Sequence, residues 1–138
     1  MCSGGPGELI EIGGRLNSAG YIDVLNDVSL PTTQVMLPEE RAINFVHDNC
    51  PIHKARVCRV WFNENTEQIL EIPFPPKSPD LNPIKNLWGL MVQAWDPDKP
   101  RTRQNIIAHA TETWESFRGH FGSNRREWRP YPLLIIIF

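Results

Sequence analysis

The sequence has little of what would assign it directly to a membrane or a secreted class. Its longest apolar run, Leu133–Phe138, has six residues, whereas a helix needs roughly 20 to span a bilayer. Cysteine is scarce, and an odd count of three without regular spacing argues against a disulfide framework and a zinc knuckle. The N-terminus carries no basic-then-apolar signal pattern. We therefore expect a protein of a reduced intracellular compartment, with no membrane partner.

A basic excess is missing as well. Fourteen lysines and arginines face 16 aspartates and glutamates, a formal net charge of −2, so any contact with nucleic acid must come from local patches. The length of 138 residues is that of one domain, and the apolar share of 41% is ordinary for a globular protein. Proline is the residue in excess. The 13 prolines cluster in Pro73–Pro83 and near the C-terminus, which predicts stiff loops there.

Strand-like and helix-like patterns alternate along the chain, which predicts an α/β domain with helices packed on a sheet. Short strands are predicted at 8–12, 42–47 and 69–72. Helices are predicted at 19–29, 53–64, 83–95 and 103–118, where apolar residues recur at steps of three and four. Pro31 is predicted to close the first helix, with a surface loop after it. Beyond Gly119 the pattern dissolves, and the apolar segment Tyr131–Phe138 has no predicted partner.

The acidic residue with the most suggestive position is Asp48, at the end of the second predicted strand. Ligands of open α/β sheets gather at the carboxyl ends of strands, and a carboxylate there suits a hard cation such as Mg²⁺. A simple turn at Asp48–Asn49 is the alternative, and on these residues alone it is the stronger one. His47 and His53 flank the aspartate; a cap for the helix at 54–64 is favoured over a metal ligand for His53.

The stretch Phe74–Trp88 joins a proline-rich loop to the start of an amphipathic helix. Asn82 is predicted to be the N-cap, and Pro83 falls at the first helical position, where its missing N–H costs nothing. Lys85 then falls at the third position. A glutamate would suit that position, because it completes a capping box and faces the positive end of the helix dipole; a lysine does the opposite.

Two ordered motifs carry a family resemblance. His-Asp-Asn-Cys-Pro-Ile-His at 47–53 and Ser-Pro-Asp-Leu-Asn-Pro-Ile-Lys-Asn-Leu-Trp-Gly at 78–89 resemble the catalytic domain of mariner-type (Tc/mariner superfamily) cut-and-paste transposases. The spacing of 37 positions from Asp48 to Lys85 is of family length, and Trp61 fits the intervening helix. Weaker similarity extends over 5–117, whereas the tail from Gly119 does not resemble the family.

The resemblance implies an α/β, ribonuclease-H-like fold with an incomplete mixed sheet flanked by helices. It divides the chain into a partial catalytic domain at 5–118 and an unmatched C-terminal tail at 119–138. It also implies three acids that hold two Mg²⁺ or Mn²⁺ ions for phosphoryl transfer on DNA, with DNA as partner and the nucleus as location.

This sequence departs from that pattern at the site itself. Asp48 matches the second acid of the triad and a family metal ligand, but Lys85 stands at the third position. The first acid lies on an earlier strand in the family and has no counterpart here, so we expect a domain truncated at its N-terminus. We expect no productive metal binding and no strand transfer. We further predict that the Lys85 ammonium group occupies the place of a metal ion and pairs with Asp48.

Two further interpretations stay open beside that of a truncated, inactive transposase domain. The domain can serve as a DNA- or protein-interaction module, or the chain can be a non-functional transposon fragment. Lys54, Arg56 and Arg59 lie on the outward side of their predicted helix and are the candidate phosphate contacts, although a solvated basic face explains them equally well. The sequence does not indicate an oligomeric state. Core packing is the favoured interpretation for the helical tryptophans and for Cys50 and Cys58.

Overall fold

The structure, a computed structural model, describes residues 6–38, 40–76, 78, 82–123 and 133–135. Helices and strands alternate over much of this part, as predicted. They are α1 (Ser18–Val24), a π-helical turn (Leu25–Ser29), α2 (Leu30–Met36), β1 (Ile43–Val46), α3 (Arg56–Glu64), β2 (Ile69–Glu71), α4 (Pro83–Gln93), α5 (Arg103–Ser123) and β3 (Leu133–Ile135).

The described strands form one small sheet in the order β2-β1-β3, with both neighbours parallel to β1. Both pairings in the described residues are parallel, and no antiparallel pair of the expected mixed sheet is found among them. Two predicted strands are confirmed as β1 and β2. Parallel neighbours need crossover connections, and α3 provides the one between β1 and β2.

The strand predicted at 8–12 is wrong. That segment has no strand structure; it lies along α5, where the Trp114 indole donates to the Gly7 carbonyl over 2.8 Å. Leu9 packs into the apolar cluster that Trp114 helps to form, and Arg118 bonds the Glu8 carboxylate. The alternation did not predict burial either, because Leu9 and Ile12 are only half-buried and Ile10 is exposed. A helix face covers this extended segment, where the prediction expected a neighbouring strand.

Pro31 does not close the first helix. The helical path continues through it to Met36, because the turn before it is π-helical: the Leu30 N–H donates to the Leu25 carbonyl, five residues back. A widened turn gives the proline ring room that a regular α-helical turn denies it. Thr33, in the segment predicted as a loop, is buried and donates its hydroxyl to the Ser29 carbonyl over 3.0 Å.

The C-terminal tail does have a partner. Leu133–Ile135 pairs in parallel with β1, in a register that aligns Leu134 with Phe45. The predicted end of the last helix is also too early, since α5 continues past Gly119 to Ser123. Residues 124–132 and 136–138 lie outside the described residues. Because β2 and β3 take its two sides, β1 is the central strand of this sheet.

Apolar side chains form two clusters. One joins β1 and β2 to α1, the π-helical turn and α3; it consists of Tyr21, Leu25, Ile43, Phe45, Cys58, Trp61, Phe62 and Ile69. The other joins α4 to α5 through Ile84, Leu87, Met91 and Trp114, with Trp88 stacked on Trp114. The core role predicted for the tryptophans is thereby confirmed for Trp61 and Trp114. Among the described helices, none is long and apolar enough to cross a membrane.

We predict that deleting residues 124–138 destabilises the domain, because one side of β1 loses its parallel partner and its backbone groups become an open sheet edge. The melting temperature should fall by several degrees, since about 1 kcal/mol corresponds to roughly 2–8 °C in domains of this size. Deleting only 136–138 is the control, because it spares the paired strand. Equal melting temperatures for the long deletion and the intact chain, measured by circular dichroism, would contradict the assignment of β3 as a structural strand.

Candidate active site

The carboxyl end of β1 is fixed by His47, the first residue after the strand. Its ring is buried, and both nitrogens are used: Nδ1 lies 2.6 Å from the Tyr21 hydroxyl and Nε2 lies 3.0 Å from Glu71 Oε1. A carboxylate only accepts hydrogen bonds, so Nε2–H donates to Glu71 and Nδ1 accepts from the Tyr21 hydroxyl. The ring thus links α1 to the ends of both β1 and β2.

Burial is the main influence on the ionisation of this group. Desolvation lowers the pKa of His47, and the nearby His53 lowers it further, while the hydrogen bond to Glu71 and the charge of Asp48 oppose the shift. The pKa of Tyr21 is raised, first by its own burial. Both groups are therefore neutral near pH 7, which agrees with the donor and acceptor roles deduced from the geometry.

Asp48 begins a tight loop directly after His47. Its Oδ1 atom accepts the Cys50 backbone N–H over 3.0 Å and lies 3.0 Å from His53 Nδ1. The turn interpretation of Asp48 is thus confirmed. His53 does not cap α3, because the capping residue is Ala55, without a side-chain hydrogen bond. The His53 ring is instead buried, stacks on His47 at 4.9 Å and contacts the Tyr21 ring at 4.3 Å.

The same loop gathers three different ligand types. One side-chain donor atom each from Asp48, Cys50 and His53 lies within 4.8 Å of the other two. Cys50, interpreted from the sequence as a buried apolar residue, is half-buried rather than buried. The spacing Asp-x-Cys-x-x-His in the sequence could have predicted this cluster, because a single tight turn can bring side chains at those positions together.

The α4 terminus matches its prediction in position but not in detail. Asn82 precedes the helix and Pro83 begins it, yet the Asn82 side chain makes no cap bond. Asn82 is fully buried, and its side-chain atoms have no partner among the described residues. Lys85 is exposed. The predicted pairing of Lys85 with Asp48 is wrong: in the described part of the chain, the basic side chain that contacts the Asp48 carboxylate is His53, at 3.0 Å.

A basic surface lies next to the Asp48 loop. Lys54, Arg56 and Arg59 are exposed, and none of them forms an ion pair with another described residue. Within the described residues, the hydrogen bond found for their charged groups runs from Arg59 Nε to the Lys54 carbonyl, 3.1 Å long. By contrast, Arg103 and Arg118 are paired with glutamates.

The donors around Asp48 do not fit the pair of Mg²⁺ or Mn²⁺ ions that the resemblance implies. Mg²⁺ takes oxygen ligands, whereas the partners within reach of Asp48 are the sulfur of Cys50 and a nitrogen of His53. At the third position of the motif, Lys85 supplies an ammonium group and no lone pair.

Known proteins resemble this chain in sequence. The sequence model of the family described as DDE superfamily endonuclease matches residues 1–107. The Tc3 transposase of Caenorhabditis elegans is 33% identical over 87 residues, which cover 62% of this chain and 25% of that protein. The Tcb1 transposase of Caenorhabditis briggsae is 34% identical over 110 residues, 80% of this chain and 39% of that protein. The chain therefore spans less than half of the length of these relatives.

The fold is also that of a solved structure. The catalytic domain of the Mos1 mariner transposase superposes with a TM-score of 0.63 at 23% identity, covering 88% of this chain and 61% of that one. A structure of the same Mos1 domain with Raltegravir and Mg superposes with a TM-score of 0.58 at 24% identity, covering 87% of this chain and 65% of that one. The expected ribonuclease-H-like fold is thereby confirmed.

We predict that the fold loses stability as the pH falls from about 7 to about 5. The pKa of His47 is lowered from its ordinary 6.5, so the unfolded chain binds a proton at a higher pH than the folded one, and acid favours unfolding. Glu71, His53, Asp48 and Tyr21 face this ring. Urea unfolding at several pH values measures the effect. His47→Gln should be less stable throughout but depend less on pH; an unchanged dependence would assign the acid sensitivity to other groups.

Proposed function

We propose that this chain is a transposase-derived, DNA-binding domain without strand-transfer activity. The premise is that the chain belongs to the DDE superfamily endonuclease family. Its mariner-like character agrees with the resemblance to the Tc and Mos1 transposases. The proposed domain comprises residues 5–118. We further propose that the tail at 119–138, which holds the end of α5 and β3, serves to complete the sheet.

One observation carries the inactivity: a lysine stands where the motif requires a carboxylate. Two-metal phosphoryl transfer needs oxygen ligands that hold both ions and balance their charge. In this chain Asp48 occupies the second position and Lys85 the third, so an ammonium group takes the place of a metal ligand. Neither ion of a catalytic pair would have its usual coordination.

DNA binding does not need that metal pair. Phosphate contacts by lysine and arginine are independent of catalysis and supply much of the affinity of such proteins. Lys54, Arg56 and Arg59 are exposed beside the Asp48 loop and free of competing ion pairs among the described residues. This supports DNA as the partner. The nucleus as the place of action follows only from the similarity to transposases. Protein interaction without DNA is the competing function.

We predict no strand cleavage by this chain. Incubation of labelled DNA that carries Tc1/mariner-type transposon ends with the chain and Mn²⁺ should leave the DNA intact on a denaturing gel. Asp48→Asn serves as the control for contaminating nucleases, since it removes the remaining carboxylate of the motif. Cleavage by the wild type that Asp48→Asn abolishes would refute the proposed inactivity.

We predict weak, salt-dependent DNA binding through the basic surface. The logarithm of the binding constant falls with the logarithm of the salt concentration by about 0.9 for each neutralised phosphate. Changing Lys54, Arg56 and Arg59 together to Glu should therefore reduce this slope by about 2.7 and weaken binding at low salt. Fluorescence anisotropy with a short labelled duplex measures both quantities.

The matched control changes Arg15, Arg41 and Lys99 to Glu. These residues are also exposed and without an ion pair among the described residues, and the change in net charge is identical. Arg41 lies before β1, at the opposite end of the strand from Asp48. Equal losses in both triple variants would indicate a general charge effect, and no measurable binding by the wild type would favour the protein-interaction alternative.

A further inference from the structure

We propose that Asp48, Cys50 and His53 form a binding site for one zinc-type transition-metal ion, in preference to Mg²⁺. The site lies in the loop that follows β1. It shares Asp48 with the ancestral metal position but takes its other ligands from within the same turn. The inference does not rest on DNA binding, because no residue of the proposed basic surface is a ligand.

The spacing of the donor atoms suits a single small ion. A tetrahedral zinc site with Zn–N and Zn–O bonds near 2.0–2.1 Å and a Zn–S bond near 2.3 Å separates its ligand atoms by roughly 3.3–3.6 Å. Here the three donors lie within 4.8 Å of one another, and His53 Nδ1 is 3.0 Å from Asp48 Oδ1. Small side-chain rotations would bring all three atoms to bonding distance of one ion.

The loop holds these positions before any ion arrives. The Cys50 N–H donates to Asp48 Oδ1 over 3.0 Å, and the Cys50 carbonyl accepts the Lys54 N–H over 3.2 Å. Pro51 restricts the backbone between the cysteine and the histidine. His53 is anchored by ring contacts with Tyr21 and His47. A preorganised loop loses less conformational entropy when it binds.

The burial of the donors differs in a way that suits a ligand site. His53 is 4% exposed, whereas the Asp48 side chain is 29% exposed and Cys50 is half-buried. One fixed imidazole thus forms the base of the site, and two donors remain accessible to an ion from solvent. Three protein ligands with an open fourth position are the usual arrangement of zinc sites that bind water or a further ligand.

The donor chemistry determines which metal is expected. A thiolate and an imidazole favour zinc, cobalt and similar ions, whereas Mg²⁺ is bound by oxygen alone. The Asp48 carboxylate is compatible with both classes and does not discriminate between them. Cys50 is therefore the residue that determines the selectivity of this site.

The test is titration of the metal-free chain with Co²⁺, whose bond to a thiolate gives a near-ultraviolet charge-transfer band. We expect one equivalent of Co²⁺ to bind and to produce that band. Zn²⁺ should displace the cobalt and remove the band, whereas excess Mg²⁺ should leave the band unchanged. Cys50→Ser should abolish the band, and both Cys50→Ser and Asp48→Asn should weaken binding by at least the roughly 10–100-fold that the loss of an outer-shell partner costs. Circular dichroism checks that each variant is folded.

Cys2→Ser is the matched cysteine control, because this residue is far from the loop in sequence. Cys58 is retained, since its thiol bonds the Ile52 carbonyl over 3.2 Å. The proposal is overturned if the wild type gives no band, if Cys50→Ser retains it, or if Mg²⁺ displaces the cobalt. None of these outcomes affects the DNA-binding result, and a failure to bind DNA leaves the cobalt titration unaffected.

Discussion

The hydrogen bonds of His47 hold the site together. One buried ring joins three elements, since it accepts from Tyr21 of α1 and donates to Glu71 at the end of β2 while it follows β1 directly. The ring must be neutral for this arrangement, and burial keeps it so by lowering its pKa. Its other face supports His53, which in turn contacts Asp48. The position of the Asp48 carboxylate therefore depends on a buried polar network, whose members cannot be removed singly without leaving an unpaired group.

The loop after β1 places a carboxylate at the end of a strand, next to side chains that offer sulfur and nitrogen as ligands. Asp48 follows a parallel strand at its carboxyl end, where ligands of open α/β sheets gather, and we propose it as the counterpart of a family carboxylate. The side chains close to Asp48 offer sulfur and nitrogen as metal ligands. The first turn of α4, where the family resemblance implies a third acid, carries Lys85. One scaffold can thus carry either a hard-metal site or a softer donor set, because the scaffold fixes where side chains meet and the side chains determine what they bind.

The tail illustrates how an edge constrains a sheet. A parallel pair is slightly weaker per residue than an antiparallel one, and a short central strand with an open side is prone to pair with other chains. Leu133–Ile135 occupies that side of β1. The sequence predicts no partner for this apolar segment, because the strand that it pairs with lies about 90 residues earlier in the chain. Local patterns do not reach that far. The π-helical turn before Pro31 escaped prediction for a related reason: local rules treat proline as a stop, and only the packed helix shows how it is accommodated.

The sequence by itself determined the family and the order of most helices and strands, and it predicts a departure from the family pattern at Lys85. These follow from residue types at fixed spacing: apolar periodicity for β1, α3, β2 and α4, and two motifs for the resemblance. Only the tertiary structure decided that His53 turns toward Asp48, that Cys50 completes a three-donor cluster, that Lys85 does not pair with Asp48, and that β3 covers β1. The physical reason is that side-chain direction and long-range pairing depend on how buried groups satisfy one another across the fold, which no single segment encodes.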